Sequence, residues 1–230
     1  NEDNIASNAN PDFYFLESIG TTVYSVAYGA NDRFNIAQRT IGDTQLWTSL
    51  AVVQDGTDGL PRGLVKYPDA AGVQDLFFSN KVGMYWVDIS ASVARQQFQF
   101  RVPDSIYTGK MIVHPWDGLA YFIDGPNLAR CGWTPEGVFK PDRYLGPEAY
   151  DDPTIGWDGL PTSRTGNLTA IWASKTRPWV YVAKGGLVAG RYATIMVYDI
   201  IRDEWHQLEM EGTTQRSVTA GYEFGGTVHE

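Results

Sequence analysis

The stretch 168–209, LTAIWASKTRPWVYVAKGGLVAGRYATIMVYDIIRDEWHQLE, constrains the fold of this chain most. It holds four short apolar runs, at 168–173, 179–183, 193–198 and 205–208, separated by turn-forming residues. Runs this short and this rich in Val, Ile, Tyr and Trp are strand material. The Gly between them supply the positive φ that tight hairpins need. The content is that of one four-stranded antiparallel sheet. Such a sheet has two apolar faces and cannot bury both alone, so it needs neighbours of its own kind.

Weaker copies lie upstream. Strands are expected at 13–16, 22–28, 33–41 and 45–53, then at 75–79, 84–89 and 96–102, then at 110–114, 119–123 and 128–133. Phe98, Phe100 and Val102 alternate with polar neighbours, the period of a half-buried strand. A helical turn at 91–97 is the one competing helical pattern. The units begin near Thr22, Gly63, Lys110 and Leu168, about 40–60 residues apart, which is the repeat length of propeller blades with inserted loops. Asp-Gly-Leu-Pro stands at 58–61 and again at 158–161, each time ahead of a strand pair. An aromatic-rich strand ends in Asp88-Ile89 and in Asp199-Ile200. We therefore expect an all-β protein, a β-propeller of four-stranded antiparallel blades, over a plain sandwich. It has about five blades or is part of a larger propeller. The closing strands are expected at 13–16 and 219–224. Residues 1–11 form an arm and 12–230 a single domain, with a long Pro/Gly/Asp-rich loop insertion at 134–163.

Composition excludes more than it identifies. The net charge is −9 with no basic run, so nucleic-acid binding is not expected, and no apolar stretch approaches the ~18–20 residues that span a bilayer, so membrane insertion is not expected either. No signal peptide is visible at the first residues. Cys131 is the lone cysteine and reads as a small, half-buried apolar residue, and His114, His206 and His229 are too scattered for a zinc site. Asp55-Gly56-Thr57-Asp58-Gly59 lacks the further ligands of a calcium loop. Neither a nucleophile elbow nor a P-loop occurs. No catalytic residue, metal or cofactor is expected. The enzymatic alternative is a glycoside hydrolase, which needs two carboxylates at a defined separation. Asp117, Asp124, Glu136, Asp151, Asp152 and Asp158 are its candidates, with Trp116, Trp133 and Trp157 able to stack on sugars. The Asp-Gly pairs at 117–118, 124–125 and 158–159 are also ordinary turn residues.

In the fourth unit a strand closes on Lys184-Gly185-Gly186, and six residues separate Tyr198 from Trp205. Gly-Gly followed by Tyr-x6-Trp resembles a kelch-type blade, over about thirty residues. The other units lack the Gly-Gly pair. The DGLP tetrapeptides, WVYVA before a Gly-rich hairpin, and VYDIIRDEWHQL are similar to divergent propellers of tailed-phage virions and tails. That resemblance implies a non-enzymatic structural or binding propeller located in the virion, working in assembly or host attachment. Its partners would be other virion subunits, a surface glycan or a second copy of the chain. The aromatic excursion is the expected contact surface, with Trp133, Tyr144, Tyr150 and Trp157 as anchors.

Overall fold

A computed structural model describes residues 13–28, 33–42, 47–54, 61–101, 108–125, 127–145, 168–184, 194–208, 222–224 and 227–229. The expected arm at 1–11 and both DGLP copies, apart from Pro61, fall outside them.

The described residues are all-β. Sheet one contains β1 (Phe13–Ile19), β2 (Thr22–Tyr28), β3 (Arg33–Thr40) and β4 (Thr48–Gln54). Sheet two contains β5 (Gly63–Pro68), β6 (Gln74–Ser79), β7 (Gly83–Asp88) and β8 (Val93–Gln99). Sheet three contains β9 (Met111–Val113), β10 (Ala120–Asp124), β11 (Asn127–Trp133) and β12 (Phe139–Leu145). Sheet four contains β13 (Leu168–Ala173), β14 (Trp179–Lys184), β15 (Thr194–Asp199) and β16 (Glu204–Leu208). Each is an antiparallel meander in sequence order. A two-stranded sheet, β17 (Tyr222–Phe224) with β18 (Thr227–His229), follows.

Several expectations change. Residues 13–16 are part of β1, the first strand of sheet one, which pairs with β2. Of the closing strand expected at 219–224, residues 222–224 are described and form β17, which pairs with β18. The helical turn expected at 91–97 is β8, whose exposed positions and pairing to β7 identify an outer strand. The excursion at 134–163 is shorter, because β12 occupies 139–145. The sequence FKPDRYL hides that strand by carrying charges on an edge, where they meet water.

The chain divides into two compact units. The first contains sheets one and two with 133–139. Here β5 runs beside β1 and β8 beside β4, so first strand stacks on first and last on last. Val26, Phe34 and Ile36 of sheet one pack with Leu76, Phe78 and Val87 of sheet two. A second layer is made of rings: Phe77 and Phe139 lie 4.2 Å apart, and Tyr67 and Trp133 meet both edge-on. The second unit contains the rest of sheet three, sheet four and the β17–β18 pair. Here β13 lies beside β9 and β17 beside β13. Tyr121 and Ile123 pack with Val180, Met196 and Tyr198. Strands β6 and β10 are buried almost throughout, so they read as continuous apolar runs rather than alternating ones.

Candidate functional site

The turns that follow the first and third strands are closed by a side chain at the strand's end. Asp88 ends β7, and its Oδ1 accepts Ser90 Oγ at 2.7 Å and the Ala91 amide at 2.9 Å. Asp199 ends β15, and its Oδ1 accepts the Ile201 and Arg202 amides at 3.0 and 3.1 Å. The sequence repeat of Asp-Ile after an aromatic strand is thus one turn used twice. Four residues beyond each Asp the backbone turns left-handed, at Ser92 (φ 55) and Asp203 (φ 59). The β9–β10 turn has the same design with His114 in place of Asp and Gly118 (φ 68) at the fourth position. Bonds from the Gly118 amide to His114 O and from the Asp203 amide to Asp199 O, both 2.9 Å, close those loops.

In the second unit these turns are joined into one rim. The imidazole of His114 accepts the Trp116 amide at Nδ1 (3.1 Å) and faces Trp179 O with Nε2 (3.0 Å). That pattern assigns the neutral tautomer with the proton on Nε2. Burial lowers its pKa from the usual histidine value, against opposing contributions from the Trp179 carbonyl and Asp117. Ser174 Oγ accepts the Thr176 and Arg177 amides at 3.2 and 2.9 Å, shaping the β13–β14 turn. Trp179 Nε1 donates to Asp199 Oδ2 at 3.1 Å, and the Ile200 amide donates to Pro178 O at 2.8 Å. The rim presents Trp116, 58% exposed, Ile201, 65% exposed, and Arg177, whose guanidinium lies 4.4 Å from the Trp179 ring centre.

Below the rim, two buried tyrosines end on carboxylates. Tyr121 donates to Asp117 Oδ2 and Tyr198 to Asp203 Oδ1, both at 2.6 Å. Burial and the adjacent carboxylates push both phenols well above their ordinary value. At Asp203 burial alone would raise the carboxyl, but hydrogen bonds from Arg143 and Tyr198 outweigh it and hold the pKa below the usual range. Arg143 reaches Asp203 at 2.8 Å, and Arg130 grips Asp142 through Nε and Nη2, the shortest contact being 2.6 Å.

Of the expected anchors, Trp133 ends β11 and is half-buried in the first unit. Its Nε1 donates to Pro68 O at 2.7 Å and its ring meets Trp86 and Phe77 edge-on. Tyr144 lies on β12, half-buried in the second unit. Arg101 sits 3.6 Å over its ring, and burial with the charge of Asp124 pushes its phenol up to about 12. Tyr150 and Trp157 lie outside the described residues, as do Asp151, Asp152 and Asp158. Asp117 also caps Leu119, and Asp124 accepts the Arg101 amide at 2.9 Å. No cluster of three metal-ligating residues occurs among the described residues. No helix there is long and apolar enough to cross a membrane. The sequence sets His114 aside as a zinc ligand without showing its bridging role, and it leaves Arg177 unmarked, although Ser174-Lys-Thr-Arg-Pro carries the signal of a Ser-capped turn.

No family model matches the chain, and no curated protein matches it in sequence. Solved structures do. One is from a nidogen/laminin complex, with TM-score 0.58 and 13% identity, over 95% of this chain and 71% of that one. A Lactobacillus plantarum protein matches at 0.53 and 12%, over 91% of this chain and 57% of that one. The extracellular domain of a B. thetaiotaomicron one component system matches at 0.51 and 9%, over 93% of this chain and 25% of that one. At such identities the likeness carries the fold alone: an all-β protein of the propeller kind, built from four-stranded antiparallel blades.

Proposed function

We propose that the chain is a non-enzymatic binding propeller of a tailed-phage virion, located in the tail or on the surface, where it mediates subunit assembly or host attachment. The observation that carries this reading is a division of labour among the candidate residues. Asp117, Asp124 and Trp133, which a hydrolase would use, hold turns and pack rings, while Trp116 and Ile201 stand in solvent on turns that are already ordered. Rigid, aromatic-bearing turns on a sheet scaffold suit recognition, because little entropy is lost on binding. The kelch-type reading is supported by the buried cross-strand pair of Tyr198 and Trp205, with ring centres 5.3 Å apart. Two structural neighbours, one solved in a complex of nidogen with laminin and one an extracellular domain, fit a module that works by contact.

Quantitative mass spectrometry of purified particles tests the assignment. A fixed copy number per particle is expected, and absence of the chain from intact particles sinks it. A second test removes 146–158, leaving β12 whole; unchanged assembly and attachment would rule out the excursion as the contact surface. The carbohydrate-active alternative draws on exposed Trp116. A glycosidase would show turnover that a single carboxylate-to-amide change abolishes, whereas a lectin would bind without turnover.

A further inference from the structure

We propose that the rim turns 114–118 and 174–179 form a binding site for a saccharide bearing a carboxylate. Trp116 is the stacking platform and Arg177 the partner of the carboxylate. This rests on the attachment reading and gives it a ligand class.

A single exposed apolar side chain is ordinary on a protein surface. Trp116 differs in its mounting. Its own amide is bonded to His114, the turn is closed by Gly118 on His114 O, and Asp117 caps the residue that leads back into the sheet. The backbone that carries the indole is therefore held in place, which lowers the ordering cost of binding. The other tryptophans described, at 47, 86, 133, 172, 179 and 205, are half-buried or buried. One π face flanked by polar groups suits the C–H face of a sugar ring, whereas a protein partner needs a contiguous apolar centre. Asp117 and Thr176 supply that polar surround, and exposed Ile201 lies beyond the 174–179 turn.

Arg177 supplies the charge preference. Arg130 and Arg143 are each engaged by a carboxylate, Asp142 and Asp203. Among the described residues the guanidinium of Arg177 instead rests on the Trp179 ring, leaving its N–H edge for an incoming carboxylate in the two-pronged geometry that arginine favours. Only the His114 imidazole, with one hydrogen bond at each nitrogen, separates the Trp116 amide from the Trp179 carbonyl. The two turns that carry the recognition elements are thus bridged by one side chain.

The test is titration of the intact chain with 3′-sialyllactose and with hexagalacturonate, against lactose and the methyl-esterified hexamer, followed by calorimetry and tryptophan fluorescence. Saturable binding of at least one acidic sugar is expected, with its neutral counterpart at least tenfold weaker. Trp116→Ala should abolish binding of both forms. Arg177→Gln should bring the acidic sugar down to its neutral counterpart and leave the melting temperature unchanged. No saturable binding, equal binding of the neutral sugars, insensitivity to both substitutions, or equally tight displacement by polyglutamate would each overturn the proposal. Particle mass spectrometry separates the two readings. Binding by a chain absent from particles refutes the virion assignment alone, and a particle component that binds none of these sugars refutes the site alone.

Discussion

The ring cluster of the first unit and the tyrosine pairs of the second fill the same kind of space, between one sheet and the next, with different chemistry. In the first, Phe77, Phe139, Tyr67 and Trp133 pack edge to face, and Trp133 satisfies its one donor on Pro68 O. In the second, Tyr121 and Tyr198 carry their rings into the core and hand their hydroxyls to Asp117 and Asp203 at the edge of it. The first arrangement depends on shape alone and is indifferent to pH and salt. The second couples core packing to surface charge. A propeller seam can thus be made either pH-blind or pH-sensitive by the choice of Phe or Tyr at a buried strand position.

The largest expected effect breaks the first arrangement. Phe77→Ala should cost about 3–5 kcal/mol in denaturant unfolding, as large-to-small changes of buried aromatics do. That loss should be the same at pH 4 and pH 7; a strong pH dependence would refute the contrast. Next comes Gly83→Ala in the same unit. An added Cβ would lie 2.5 Å from Phe98 O, a backbone atom that cannot swing aside, so a loss of about 1–3 kcal/mol is expected.

Tyr198→Phe probes the second arrangement. It removes one hydrogen bond to a charged group, about 1.5–3 kcal/mol at most, and its effect should shrink in acid. The sign follows from Asp203. Its folded pKa is depressed, so its stabilisation is present above the ordinary Asp value of about 3.9 and is lost as pH falls through the folded value. An acid limb as steep in Tyr198→Phe as in the parent chain would contradict this. The smallest effect concerns His114. Its folded pKa lies below the unfolded value of about 6.5, so stability should decline as pH drops below that value and level off under the folded one. His114→Gln should remove that component from a stability–pH series.

Strand content and blade spacing were legible because alternating or continuous apolar runs report burial directly. Sheets two, three and four begin within a residue or so of Gly63, Lys110 and Leu168, while sheet one begins at Phe13 rather than near Thr22. FYFLESI reads poorly as a strand because it carries a bulge, with Phe15 at φ 56 and both carbonyls of 14 and 15 accepting Ser25 Oγ. Edge strand β12 escaped for the opposite reason, since FKPDRYL meets water and carries little apolar signal, and β8 starts three residues before the strand expected at 96–102 because VAR is exposed or half-exposed. Trp133 shows the limit for sites. An aromatic beside a Pro/Gly-rich segment looks like an anchor, and only packing reveals its ring against Phe77 and Trp86. The rim was half visible, in Pro115-Trp116-Asp117-Gly118, but the imidazole joining it to the next blade is a contact across 65 residues that no local pattern encodes.

The capped turn has a further consequence. Two places after its capping residue stand Ser90, Trp116 and Ile201, three unlike side chains in one structural slot, all exposed. The cap holds that residue by its amide in two copies and by its hydroxyl in the third. Where the amide makes the bond, the slot places almost no demand on side-chain identity, and a mutation there is nearly silent for folding while rewriting what the surface displays. Such positions behave like interchangeable tips on a fixed handle, where the displayed chemistry can be varied, by evolution or in an engineered library, without disturbing a strand.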